Sequence, residues 1–493
     1  MKKFFKHKLG VLALFFVVLF FLVGVYAPFL ASSKPFVVEY SGKLYFPFFR
    51  YLFYPGFYTK KIDLFFNLMM FTFPLFLCLF CRRYKKPKTK KLLLGGICFG
   101  QMLLFCFLLL WPQKDPSSDP VLAKQRHEIL KKDPDLRTWS FDLQYMNPYN
   151  KLMQVLYYRQ MQKQHNVTLS YLKGKKISPS SLSTLWQMNE LNVQTRMESY
   201  REEIEKFESG VSQNKATYAG ALRELNYLQE KKQWLDEEER KITFILMPIF
   251  RGYHWEEDAG GNQKMNQELP WWELSRINRK DLVSALIFGV RISLVVGILA
   301  VLLALSIGIP IGSFAGYYGG VLDIIVSRLL EIWESMPIFF MLLLVVAITQ
   351  SKSIFIVIAV VGIFGWTDFS SYIRGEFFKQ KNLPYVEACH AQGFSDAYIM
   401  FSHILPNAIP PVLTLLPFAV MAAITSEAGL SFLGLGEEGS CSWGVLMDEG
   451  RSAFPGESYL LWPPAILLTI LLVAIALVGD ALRDTLDPKM HTS

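Results

Sequence analysis

Eight apolar runs constrain this chain more than any other feature: 9–30, 62–81, 92–111, 290–315, 325–348, 353–372, 409–433 and 463–480. About 20 mostly apolar residues in helix cross the hydrocarbon core of a bilayer. Inside it every backbone N–H and C=O needs an internal partner, so helix is the expectation for each run. The first run follows MKKFFKHK. Its apolar stretch outlasts the roughly 7–15 residues of a signal-peptide core, which predicts an uncleaved anchor. Composition agrees, with 52% apolar and 19% charged residues, against about 25% charged in soluble proteins. A disordered chain, a disulfide-stapled small domain and an ordinary cytosolic enzyme are excluded.

The net charge of +9 is unevenly placed. Lys2–Lys8 and Arg82–Lys91 hold eleven basic residues, and both flank apolar runs. Lys and Arg next to spans mark the cytoplasmic side. The N-terminus and RRYKKPKTKK are therefore expected in the cytoplasm, with run 1 leading out, run 2 returning and run 3 leading out again. Residues 112–270 then lie outside, and 373–408 and the C-terminus inside. Arg374, Lys379, Lys381, Arg483 and Lys489 fit that orientation.

The segment 112–270 is nearly neutral, with 23 basic and 22 acidic residues, and is too polar to enter the bilayer. Met197, Tyr200, Ile204 and Phe207 recur in steps of three and four, as do Leu222, Leu225, Leu228 and Leu235. ESGVSQNK between them reads as a turn. Two antiparallel helices are predicted, about 188–208 and 216–241. The segment is either a docking surface for an external partner or a decoration without a direct role. His254, Glu256, Glu257 and Asp258 come from one short stretch, so a solvated turn is expected there rather than a metal site. Asn166-Val167-Thr168 matches a glycosylation sequon, which means little outside a secretory eukaryotic context.

GxxxxGK[ST], HExxH and GxSxG are absent from the sequence, so no nucleotide cradle or hydrolytic centre is predicted, and no enzyme activity. No cofactor is expected on this chain. Basic surface interleaved with aromatics is missing from the polar segments, which argues against nucleic acid. The six cysteines lack zinc spacing and read as small apolar packers.

Residues 384–407, PYVEACHAQGFSDAYIMFSHILPN, carry the functional argument. Pro384 suits the start of a helix, where its missing N–H would be unpaired anyway. Val386, Ala388 and Cys389 give that helix a small apolar side. Gly393 can supply the left-handed residue that ends it, Ser395 can cap a second helix, and Pro406 is expected to end that one. The prediction is two short helices joined at an angle below the membrane.

EAxxxxG followed by HILPN resembles the EAA loop of ABC-importer permeases. Glu387, Ala388 and Gly393 stand at the matching positions, Cys389 replaces the second Ala, and Leu405-Pro406 closes the motif. FGVRISLVVG at 288–297, AGYYGG at 315–320, EAGLSFLGLG at 427–436, SWGVLMDEGR at 442–451 and GDALRDTLDP at 479–488 are similar to the oligopeptide/dipeptide permease family. The stretch 28–47 resembles its C-type subunit in the peptide/microcin branch. The lead-in SRINRKD at 275–281 departs from that family, with Asp281 and Ser284 retained.

The resemblance implies an all-α polytopic membrane protein: a type I ABC importer permease core of six spans, with two additional spans and an extracytoplasmic helical insert. The segments would be a first anchor (1–31), an external stretch plus the two added spans (32–111), the insert (112–270) and the core (271–493). It implies a peptide importer of the bacterial cytoplasmic membrane, with both termini cytoplasmic. The partners would be a homologous permease, two ABC ATPase subunits that hold ATP and Mg, an extracytoplasmic peptide-binding protein and membrane lipid. Glu387, Ala388, Cys389, Gly393, Leu405 and Pro406 would contact the ATPases.

Ionisable residues within membrane segments are costly and count as functional candidates. Arg328 and Glu331 form an i,i+3 pair at the start of a span. Glu334 stands where an apolar residue is expected, and Asp368 sits near Trp366. Glu427 lies inside an apolar run and is expected to line a pathway or pair helices. Asp480, Arg483, Asp484 and Asp487 read as an end-anchor. Two rival readings are an ion-coupled carrier using Glu427 or Glu331, and a membrane scaffold whose insert is the working part.

Overall fold

The computed structural model describes residues 4–54, 60–82, 87–114, 146–172, 193–211, 214–250, 282–437, 439–452 and 460–486, with isolated positions between 116 and 131. The cluster at 254–258, the lead-in through Asp281, Asp487, and the side chains of Asn166 and Thr168 lie outside that description. The chain forms two compact units: Met1–Val25 with Phe288–Ser493, and Tyr26–Ile287.

Among the described residues, seven helices are long and apolar enough to cross a membrane: Lys8–Val25, Lys61–Cys81, Thr89–Leu110, Leu282–Tyr318, Ile354–Gln380, Leu416–Leu435 and Trp462–Leu486. The run at 325–348 is not one straight span. It consists of Gly320–Glu334 and Ile338–Thr349, bent by 73° at the break. Pro337 causes this, because it has no N–H for the ladder and forces the preceding residue out of helical geometry. Glu334, the residue out of place in an apolar span, is exposed beside the bend.

The 37-residue helix Leu282–Tyr318, here the long helix, lies in the first unit from Phe288 onward and packs its glycines closely on Trp366–Gln380. A Cβ on Gly308 would stand 2.5 Å from the Trp366 carbonyl, and one on Gly316 would stand 2.6 Å from that of Arg374. Gly312, one turn from each, has no room against Ser370 and Ile373. Small residues four apart let backbones meet where the hydrophobic effect gives no drive for helices to associate. Val301, Ala304, Ala315, Phe369, Ile373 and Phe377 fill the core beside this seam. Arg291 is fully buried, and its Nε donates to the Gly24 carbonyl (2.7 Å). The cation thus satisfies an orphan carbonyl at the negative end of the first helix.

In the second unit the two added helices, Lys61–Cys81 and Pro87–Leu110, pair through Thr72 Oγ1, which donates to Gln101 Oε1 (2.7 Å). The polar segment packs as three helices: Pro148–Leu172, Val193–Glu208 and Lys215–Glu239. The predicted hairpin is present, with Asn214 capping its second helix by accepting from the N–H groups of Ala216 and Thr217 (3.1 and 3.3 Å). Met197, Leu225, Leu228 and Leu235 form the seam, joined by Val155 and Tyr158 of the third helix. Leu222, expected in the seam, is exposed, and Ala221 is buried in its place. The first residues of the predicted 188–208 helix, up to 192, are outside the described set.

The all-α expectation needs one correction. Strands β1 (Val37–Tyr40), β2 (Lys43–Tyr45) and β3 (Ile242–Leu246) form an antiparallel sheet in the order β2-β1-β3. The turn Ser41-Gly42, with both residues at positive φ, joins the first two, and a β-branched run forms the third. The cysteine reading holds for Cys389 and Cys441, which are buried, whereas Cys78, Cys81, Cys98 and Cys106 are exposed on the two added helices.

Candidate functional site

The loop that follows Trp366–Gln380 is helical from Pro384 to Ala391, with proline in its first turn. Val386 and Cys389 turn inward and are buried, while Glu387 and Ala388 are exposed. The helix ends as the sequence predicts. Gly393 has φ +76°, its N–H donates to the His390 carbonyl (2.9 Å), and the Phe394 N–H donates to the Cys389 carbonyl (3.2 Å). These two bonds are the Schellman closure, which needs the left-handed residue that glycine adopts without penalty. A Cβ at Gly393 would meet nothing within 4 Å, so the surface above the bend is open.

Past the bend, two expectations fail. Ser395 has extended backbone, but its hydroxyl makes no cap. Pro406 does not end the second helix. Residues 399–404 form a wide π turn, the Leu405 N–H donates to the Met400 carbonyl, and helix continues over Leu405–Leu413 with Pro406 in its first turn. Widening the ladder just before a proline absorbs its missing donor, so the chain passes through without a break. Leu405 is half-buried and Pro406 exposed. Ile399, Met400 and Ile404 are fully buried in the core that contains Phe369, Ile373 and Phe377.

Sequence reading missed how the loop is held. Tyr317, in the last turn of the long helix, donates its hydroxyl to Asp396 Oδ1 (2.8 Å) and stands 3.3 Å from His390 Nε2. One side chain therefore joins the long helix to both arms of the bent loop. The signal was present in AGYYGG, but no spacing rule assigns a tyrosine there a partner about 80 residues away. Phe394, Tyr398 and His403 form a ring cluster at the bend, and Phe314 meets Phe401 edge to face. The outcome is an exposed strip, Glu387–Ala388 and His390–Tyr398, on a rigid base. Two carboxylates, Glu387 and the Tyr317-bound Asp396, with an aromatic rim form a surface that suits a protein partner.

The remaining candidates do not converge on one site. Arg328 and Glu331 are exposed and paired with each other (2.5 Å) on Gly320–Glu334. That helix is tied to Trp366–Gln380 by Asp323, which accepts from Arg374 Nε and Nη2 (2.5 and 3.2 Å). Glu427 is buried, and its Oε1 accepts from Ser431 Oγ (2.7 Å) and Ser442 Oγ (2.6 Å). It thus pairs Leu416–Leu430 with the start of Trp443–Ser452. Gly444 fits this join because a Cβ there would stand 2.6 Å from the Ala428 carbonyl.

Residues 308–492 match the family described as binding-protein-dependent transport system inner membrane component, and residues 1–47 match the N-terminal TM domain of oligopeptide transport permease C. The oligopeptide transport system permease protein OppC of Bacillus subtilis is 33% identical over 51% of this chain and 83% of its own length. The OppC protein of Haemophilus influenzae is 36% identical over 49% and 72%. The peptidoglycan transport system permease protein YejE of Agrobacterium fabrum is 35% identical over 43% of this chain, but only 55% of that relative is spanned.

Proposed function

This chain belongs to the family of binding-protein-dependent transport system inner membrane components, and from that premise we propose that it is a permease subunit of an ATP-driven importer for peptides or related substrates. The observation that carries the proposal is the loop at 384–406: a Schellman-closed bend with an open outer surface, fixed by Tyr317 to a helix long enough to cross the bilayer. Such an element turns a push at the surface into displacement of a span.

The division of labour follows. Two ATPase subunits bind and hydrolyse ATP with Mg and contact Glu387, Ala388, Gly393 and the aromatic rim. Cys389 and Leu405 support that surface from beneath, and Pro406 lies on it. A homologous permease completes the pathway, and an extracytoplasmic binding protein delivers substrate. The termini and the loop face the cytoplasm, and 112–270 faces outward. Residues 271–493 with the first helix form the core, and 32–111 carry the two added spans.

An ion-coupled carrier is disfavoured because Glu427 is engaged by two serines and Glu331 by Arg328. The test is purification of the tagged chain followed by reconstitution. Two ATPase chains should copurify, and uptake should require ATP and survive collapse of the proton gradient. Uptake that follows the proton gradient without ATP would overturn the proposal.

A further inference from the structure

The small sheet of the second unit has two apolar faces, and only one is covered. Val38 and Tyr40 point to the side where Leu152 and Leu156 of the Pro148–Leu172 helix pack. The opposite face carries Leu44, Glu39 and Phe244 in one cross-strand row, with Val37 and Leu246 in the next. Leu44 is 61% exposed, Phe244 50% and Leu246 48%. Phe46 and Phe49 extend the apolar surface past β2, and Ile249 extends it past β3. A patch of this kind on a polar-surfaced module marks something that covers it.

Packing within the same unit indicates what does. Asn67 Nδ2 donates to the Leu52 carbonyl (2.8 Å), and the Phe53 and Phe71 rings meet at 6.3 Å. Phe71 lies ten residues inside Lys61–Cys81, about 15 Å along its axis. The segment that leaves β2 is therefore held against the Lys61 half of a membrane-crossing helix. At the other edge the Phe250 N–H donates to the Leu30 carbonyl (2.8 Å), five residues beyond the last residue of the first span. Lys61 is exposed at the start of the Lys61–Cys81 helix and Asp63 is buried, whereas Lys43, paired with Tyr40, and Arg50, 4.4 Å over the Tyr149 ring, belong to the covered side.

We propose that this face is an interfacial membrane anchor, lying on the leaflet at the Lys61 end with Leu44, Phe46, Phe49, Phe244, Leu246 and Ile249 in the headgroup–acyl boundary. Buried apolar area is the main attraction, as in interfacial elements, and Lys61 beside the face meets a lipid phosphate. Glu39, half-buried at the centre of the face, sets the depth, because a carboxylate halts at headgroup level. The layers then run from polar helices through sheet to lipid.

The test places p-benzoylphenylalanine at Leu44, Phe244 or Ile249 of the full chain in nanodiscs of phosphatidylethanolamine and phosphatidylglycerol. Arg223, exposed on the Lys215–Glu239 helix, is the control position. Irradiation should yield phospholipid adducts by mass at the three patch positions and none at Arg223. Glu39→Leu should raise the adduct yield at Phe244. Adducts to protein alone, no adducts, or equal lipid adducts at Arg223 would each overturn the anchor. Because the readout needs no transport, its failure is separable from failure of the permease reading.

Discussion

Gly393 acts through its backbone. The space above it is empty, so a side chain there causes no collision, but φ +76° costs a β-branched residue about 1 kcal/mol or more. Gly393→Val should leave membrane abundance near normal while abolishing ATP-driven uptake and weakening copurification with ATPases. Gly393→Asn, which tolerates the left-handed region better, should keep more of both. Normal uptake by the valine variant would remove the coupling role. Glu427 makes a different demand, since its carboxylate serves as an acceptor for two buried hydroxyls. Glu427→Gln retains an acceptor oxygen and should transport nearly normally. Glu427→Ala leaves both hydroxyl protons without this acceptor, at roughly 1–3 kcal/mol for each buried group, and should lower the folded fraction in a detergent melt. Loss of uptake in the Gln variant with a normal melt would instead favour an ion-carrying carboxylate.

Between elements, close approach and hydrogen bonding replace the hydrophobic drive. The Gly308, Gly312 and Gly316 ladder brings the long helix against Trp366–Gln380, the helix that leads into the loop. Gly312→Leu must separate the two backbones, so abundance and uptake should fall together, whereas Gly375→Leu, at an open position, should change little. Equal tolerance at both sites would show that the seam does not position the loop. Tyr40 of β1 donates to Glu238 of the insert (2.5 Å), and within the insert Tyr158 donates to Asp236 (2.7 Å). Burial and the neighbouring carboxylates push both hydroxyls above the ordinary tyrosine value, which is about 10. The folded state therefore holds these protons more tightly than the unfolded chain. The stabilisation is whole below about pH 10 and declines as pH rises past the unfolded value. Protease resistance of the insert should drop above that pH in the native chain and less steeply in Tyr40→Phe/Tyr158→Phe, which cannot titrate there.

For the whole molecule, the sharpest question is sidedness. Cysteine at Val211, exposed at the end of the hairpin turn, should react with an impermeant thiol reagent in intact cells. Cysteine at Thr89, beside the basic cluster, should react only after the membrane is opened. The native cysteines are replaced first, since four are exposed. Labelling of Thr89 from outside would remove the proposed orientation and the paired spans with it.

Apolar length and charge placement determined the membrane class, the approximate spans and the polar insert, because bilayer thickness and backbone desolvation leave helix as the main solution. Local backbone chemistry determined the bend at Gly393, since the Schellman closure depends on residues next to one another. Neither rule reaches further along the chain. The sheet of β1, β2 and β3 joins strands about 200 residues apart, and the Tyr317–Asp396 and Glu427–Ser442 bonds likewise depend on packing partners that no local period encodes. The break at Pro337 was hidden because both of its arms are apolar, and hydropathy counts residues without registering a missing N–H. Pro406 erred in the other direction. A proline ends a helix in isolation, but here a π turn fixed by the surrounding core carries the ladder past it. The tertiary structure alone decided these features, because each is set by which groups are left to satisfy once distant elements have met.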